Sequence, residues 1–167
     1  AAMHGYQRDT ARQPDWPPWI PPSPGIRTWE SAACYTATVF TEALPAVDNG
    51  RGTGLAFRVL GTPWMKGADL CDSLSSYGLR GVRFHAHRYL SGCGIHQGKI
   101  MDGVRITVTH PDQFKPIQTA LVILHSLQQR AGRQRLWQHR GARTDFFDKL
   151  FGTDTVRRAL SEGAAPE

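Results

Sequence analysis

The sequence predicts an α+β domain, a mixed β-sheet flanked by helices behind a proline-rich N-terminal connector. Three observations predict it. Two segments alternate apolar and polar residues with the period of a strand. Other segments repeat apolar residues at helical spacing. Glycine and proline mark the joins between them. At 167 residues the chain suffices for one domain with a proper core.

Residues 1–25 read as a connector. Within it, PDWPPWIPPSP at 14–24 holds six prolines and two tryptophans. Proline fixes φ and removes an amide donor, so an extended path is expected. The domain proper spans 26–162. Thr28 is an N-cap candidate for a helix over Trp29–Cys34, with Glu30 in its first turn. Leu55–Leu60 reads as a strand ended by Gly61 and Pro63. Lys66–Tyr77 reads as a helix carrying Leu70 and Leu74, with Gly78 as its stop.

Val82–Tyr89 alternates next, with Val82, Phe84 and Ala86 on one face and Arg83, His85 and His87 on the other. Gly103–Thr109 alternates again through Val104, Ile106 and Val108. A helix is expected from about Phe114 to Gln129 along Ile117, Leu121, Leu124 and Leu127. Two short helices, Phe146–Leu150 and Thr153–Leu160, close the domain around Gly152. Residues 163–167 are expected to be a disordered tail.

Composition narrows the class. No stretch approaches the roughly 20 apolar residues of a membrane span. The first ten residues carry no apolar run, so no signal peptide is read there. The net charge is +6 and the pI about 9.7, which raises nucleic acid as a partner. Much of the excess is local, however: Arg130, Arg133, Arg135, Arg140 and Arg143 crowd one segment. Such a run is usually a solvated loop or helix end, so nucleic acid is not the expected partner, although an anionic polymer remains open. Cys34, Cys71 and Cys93 are far apart and odd in number, and read as buried free thiols.

Several residues carry chemistry. GRGT at 50–53 sets Arg51 between two glycines, a tight turn presenting a guanidinium suited to carboxylates and phosphates. It lacks the ending of a P-loop. Glu42, eight residues upstream, is a candidate general acid or base, or a partner for that arginine. His85, His87, Cys93 and His96 are ligands of the types zinc takes, but no second pair completes a site, so no metal is expected. His96 sits among Gly92, Gly94 and Gly98 in a loop between strands, where binding residues concentrate. No nucleophile elbow and no dinucleotide fingerprint is present. These residues alone describe a mixed α and β domain with a glycine-rich, arginine-bearing loop.

Several segments in order resemble the NamZ family, exo-acting hydrolases that release N-acetylmuramic acid from peptidoglycan fragments. They are WIPPSPGIRTWESAACY at 19–35, GRGT, GTPW at 61–64, His96 with Gly98 and Gly103-Val104, VTHPDQFKP at 108–116 and FDKLFGTDTVRRAL at 147–160. The resemblance implies a C-terminal domain working beside an N-terminal Rossmann-like domain, fused or separate, with the active site in the cleft between them. It implies Glu42, Arg51, Thr53 and His96 as cleft-lining residues, with Glu42 as this chain's catalytic candidate and the others binding substrate. It further implies a muramic-acid-containing glycan as ligand, no cofactor, and a cell-envelope, periplasmic or secreted setting. Without its partner domain the chain is expected to be inactive; a wall-glycan or protein-binding module is the alternative. The family's E-G-T-N-x-S is EALPAVDN here, with Asp48 and Asn49 near the lost polar positions. Ile95 replaces a lysine before the loop histidine. Polar positions have drifted while the apolar scaffold is kept, the pattern of a diverged or inactive homologue.

Overall fold

The computed structural model describes residues 17–166. Residues 1–16 of the connector expected at 1–25 therefore lie outside the described residues. From Pro17 the chain runs without regular structure to a small turn, where Ile26 N–H donates to the Ser23 carbonyl at 3.1 Å.

Helix α1 spans Trp29–Thr38 and starts where its cap predicts: Thr28 Oγ1 accepts from Ser31 N–H at 3.2 Å. It runs ten residues and passes into a 3-10 turn, Val39–Ala43. Strand β1 is Val59–Thr62, later than the expected 55–60. Residues 55–58 turn instead: Arg58 N–H donates to Leu55 O at 2.9 Å, and Phe57 takes a positive φ of 64°. Gly61 lies inside the strand and does not end it. The Tyr89 ring occupies the space a side chain at Gly61 would need, with Cε1 3.0 Å from where a Cβ would sit.

Helix α2, Gly67–Ser76, buries Leu70 and Leu74 completely, worth about 1.5–3 kcal/mol each. Gly78, at φ 60°, stops it. Strand β2 is Val82–Leu90 and β3 is Ile100–Val108. The sheet order is β1-β3-β2, and both pairs are antiparallel, so the sheet is not mixed in direction. The short link from β2 to β3 allows only that sense, since a parallel pair needs a long crossover. Val82, Phe84, Val104 and Ile106 face the core as predicted, but Ala86 is exposed.

Helix α3 spans Pro116–Leu136 with a break at Gly132 (φ 68°, ψ 166°). It buries Ala120, Ile123, Leu124 and Leu127 in the core, where the helix packs on α1 and α2. Ile117, expected on the buried stripe, is 47% exposed in the first turn. Helices α4 (Thr144–Phe151) and α5 (Thr155–Ser161) meet at Gly152, which is left-handed at φ 77°. Phe151 stacks on Phe40, Phe147 packs tilted against both, and Trp137 meets Phe147 edge-on. A bidentate Arg157–Asp148 pair joins the two closing helices. Past α5, the Ala164 carbonyl lies 2.9 Å from the His125 ring. No described helix is long and apolar enough to cross a membrane.

Candidate active-site opening

Two loops meet at one end of the sheet. The first leads from the 3-10 turn through residues 48–54 into β1. The second, residues 91–99, joins β2 to β3. Gly50 (φ 74°) and Gly52 (φ 78°) give the first loop a shape that L side chains resist. Thr53 closes it: its N–H and its hydroxyl both donate to the Gly50 carbonyl, at 3.1 and 2.7 Å. The same hydroxyl accepts from Leu55 N–H at 3.0 Å.

Asp48 locks the two loops together. Its backbone pairs with Gly61 in both directions, at 2.8 and 2.9 Å. Its carboxylate accepts from Gly50 N–H at 2.8 Å, from the Tyr89 hydroxyl at 2.8 Å and from the Ser91 hydroxyl at 2.6 Å. Asp48 is buried, and these donors satisfy the charge. In return, burial pushes the Tyr89 phenol well above its ordinary pKa, and the Asp48 charge and hydrogen bond push it further. Gly52 and Gly92 lie back to back: a Cβ on Gly92 would stand 2.5 Å from the Gly52 carbonyl. Beside them the Cys93 thiol donates to the Arg51 carbonyl at 3.3 Å.

This latch frames an opening of about 250 Å³ lined by Glu42, Asp48, Asn49, Arg51, Cys93, His96 and Arg143, among others. Glu42 Oε1 and Arg51 Nη1 are 3.2 Å apart across it. The glutamate side chain is 16% exposed and the arginine 54%. Arg143 comes from the segment before α4 and donates to the Glu42 carbonyl at 2.9 Å, while its own N–H donates to Ala43 O at 2.9 Å. His96 is 8% exposed, and neither ring nitrogen has a protein partner. A buried imidazole without a protein partner is a place where a polar ligand group gains a hydrogen bond.

Of the residues singled out in the sequence, Glu42, Arg51 and His96 come together around the opening. Thr53 does not line it; its hydroxyl is spent inside the turn that presents Arg51. Asp48 as the hub and Arg143 as a lining residue were not singled out. A carboxylate two residues before the GRGT turn is the available signal for the first. Nothing local signals the second, whose neighbour Glu42 is 101 residues away in sequence. A larger hollow of about 430 Å³ lies at the other end of the sheet, by Tyr77, Arg80 and Lys115. No residue lining it has a buried polar atom without a partner, so the opening beside Arg51 is the better candidate.

Known proteins share this scaffold. The family model for the C-terminal domain of the exo-β-N-acetylmuramidase NamZ matches residues 33–167. The peptidoglycan β-N-acetylmuramidase NamZ of Bacillus subtilis (strain 168) is 31% identical over 150 residues, covering 90% of this chain. The match takes in 35% of that protein, so the chain spans about a third of the length of the relative it matches. A crystal structure of a DUF1343 family protein from Bacteroides fragilis NCTC 9343 superposes with a TM-score of 0.79 at 21% identity, over 86% of this chain and 38% of that one. That likeness shows the shared fold. The sequence match and the family model together place the chain in the NamZ exo-β-N-acetylmuramidase family, as a member of its C-terminal domain group.

Proposed function

We propose that this chain forms the substrate-facing C-terminal wall of an exo-β-N-acetylmuramidase-type glycoside hydrolase, with the bond-breaking acid supplied by a partner domain. The observation that carries this reading is the convergence of Glu42, Arg51 and the unpartnered His96 on one opening. Muramic acid differs from glucosamine by a lactyl carboxylate. Arg51 offers that group a planar fork of donors. Its present partner is easily exchanged, because an ion pair half-open to water is worth about 0–1 kcal/mol. A substrate carboxylate can take over the guanidinium and leave Glu42 free to face the sugar. His96 then bonds a ring hydroxyl or the acetamido group.

Glycosidases place two carboxyl groups across the scissile bond. Among the described residues lining the opening only Glu42 qualifies, since Asp48 already accepts three hydrogen bonds within the chain. The second carboxylate therefore comes from a partner, which the family resemblance casts as a Rossmann-like N-terminal domain. By the same count, the chain alone is a glycan-binding face and not an enzyme. A chromogenic muramic-acid glycoside tests this. The purified chain should release no chromophore, and adding a family N-terminal domain should start release. Turnover by the chain alone would refute the proposal.

A further inference from the structure

Arg130 and Arg135 of the arginine-rich segment and the tryptophan of GTPW play no part in the opening around Arg51. They meet elsewhere. Two contiguous hollows of about 340 and 320 Å³ share Trp64, Met65 and Lys66 as a common floor. Arg130 and Arg135 from α3 line one, and Arg88 from β2 lines the other. The Arg135 guanidinium lies 4.9 Å from the centre of the Trp64 ring.

Four cations thus share one groove. Arg130 is anchored by neutral acceptors, the Asp69 carbonyl at 2.6 Å and, more weakly, the Ser126 carbonyl at 3.4 Å. Among the described residues, Lys66, Arg88 and Arg135 are in no ion pair. Two carboxylates also face the groove, Asp69 and Asp102. Asp102 is engaged by the Gly67 N–H at 2.9 Å and, among the described residues, is in no ion pair. The groove therefore keeps a positive excess. Gathering like charges costs free energy that a bound anion returns.

We propose that this groove binds an acidic saccharide chain, with the Trp64–Arg135 ledge under a sugar ring and Lys66, Arg88 and Arg130 on its acidic substituents. The choice of a saccharide among anions rests on the glycan-directed reading above; the choice of an anion does not. A single indole suits one sugar ring, a flat body with an apolar face and polar edges. Proteins that hold single-stranded nucleic acid instead stack successive bases on several aromatics. Trp64 is the one aromatic side chain among the described lining residues.

Calorimetric titration of the 167-residue chain tests this with a hyaluronan hexasaccharide, a heparin hexasaccharide, neutral chitohexaose and a short oligothymidylate. Both acidic hexasaccharides should bind, and chitohexaose should bind at least about tenfold more weakly, a difference of about 1.4 kcal/mol. Tighter binding of hyaluronan, whose charges are all carboxylates, assigns the groove to carboxylate substituents, and tighter binding of heparin, which adds sulfates, assigns it to sulfate-like ones. Arg88→Gln and Lys66→Gln, both at exposed positions, should each weaken acidic-saccharide binding and flatten its salt dependence. Trp64→Phe should keep part of the affinity and Trp64→Ala should lose more. Three results would overturn the proposal: unchanged affinity in the charge variants, no binding of either acidic probe, or tighter binding of the oligothymidylate. Because no hydrolysis is read, this result and the fate of the Arg51 opening remain separable. Loss of groove binding with an intact muramic-acid response at Arg51 sinks only the groove.

Discussion

Ser91 Oγ donates to Asp48 Oδ2 at 2.6 Å, and this bond ties the β2–β3 loop to the loop that carries Arg51. It makes the geometry of the opening depend on a carboxylate whose oxygens are taken up by Gly50, Tyr89 and Ser91. Asp48→Asn replaces one acceptor oxygen by an amide that cannot accept from Ser91 or Tyr89. A buried hydroxyl left without its partner costs about 1–3 kcal/mol. A thermal melt should show the midpoint lowered by several degrees, at about 2–4 °C per kcal/mol for a domain near this size. An unchanged midpoint would mean that the latch contributes nothing.

The Gly52–Gly92 contact gives a second test. Gly92→Ala forces a Cβ to within 2.5 Å of the Gly52 carbonyl, backbone against backbone, so the loops must part. Ligand binding at the opening should weaken and stability fall by about 1–3 kcal/mol. Gly54→Ala is the control, since nothing lies within 4 Å of its added carbon and its φ is not positive. Equal effects from the two would show that loop contact is not the cause.

Alkaline pH tests the buried donors. Burial pushes the Cys34 thiol from 9.0 up to about 12; the Arg58 charge opposes the rise and the Glu30 charge adds to it. Tyr89 is shifted in the same direction. Above their ordinary values the unfolded chain loses these protons while the folded chain keeps them. Stability is therefore fully present below about pH 9 and declines as pH rises towards 12. Urea titrations between pH 8 and 11 should show that decline, and Cys34→Ala should reduce its slope. Native Cys34 should also resist alkylation at pH 8, since the thiolate is the reactive form and Cys34 is 1% exposed. Rapid labelling of Cys34 in the folded protein would contradict this.

Arg51→Lys keeps the charge and removes the fork. In an assembled two-domain enzyme, kcat/KM for a muramic-acid glycoside should fall about 10–100-fold, the equivalent of a charged hydrogen bond of about 1.5–3 kcal/mol. The matching glucosaminide, which has no lactyl group, should change little. Equal losses on both substrates would remove the lactyl carboxylate as the partner of Arg51.

Local signals in the sequence located most of the helices. The Thr28 cap, the Leu70–Leu74 spacing and the Gly152 stop act within a few residues of themselves, and each marks a real boundary or face. What was not legible depends on contacts distant in sequence. Gly61 reads as a strand end because glycine is depleted in strands, yet Tyr89 needs its bare backbone. The family resemblance casts Thr53 as cleft-lining, yet its hydroxyl closes the turn that presents Arg51. Asp48 reads as one more polar loop residue until Tyr89 and Ser91, 41 and 43 positions later, are seen to donate to it. The meeting of Glu42, Arg51 and His96 follows from that same latch, which no local pattern encodes.

The most direct measurement is an amide NMR titration of the nitrogen-labelled chain with N-acetylmuramic acid and, separately, with N-acetylglucosamine. The shifts should concentrate at Glu42, Arg51 and the 91–98 loop, be larger for the muramic sugar and be reduced by Arg51→Lys. Shifts that avoid those residues, or that are the same for the two sugars, would contradict it.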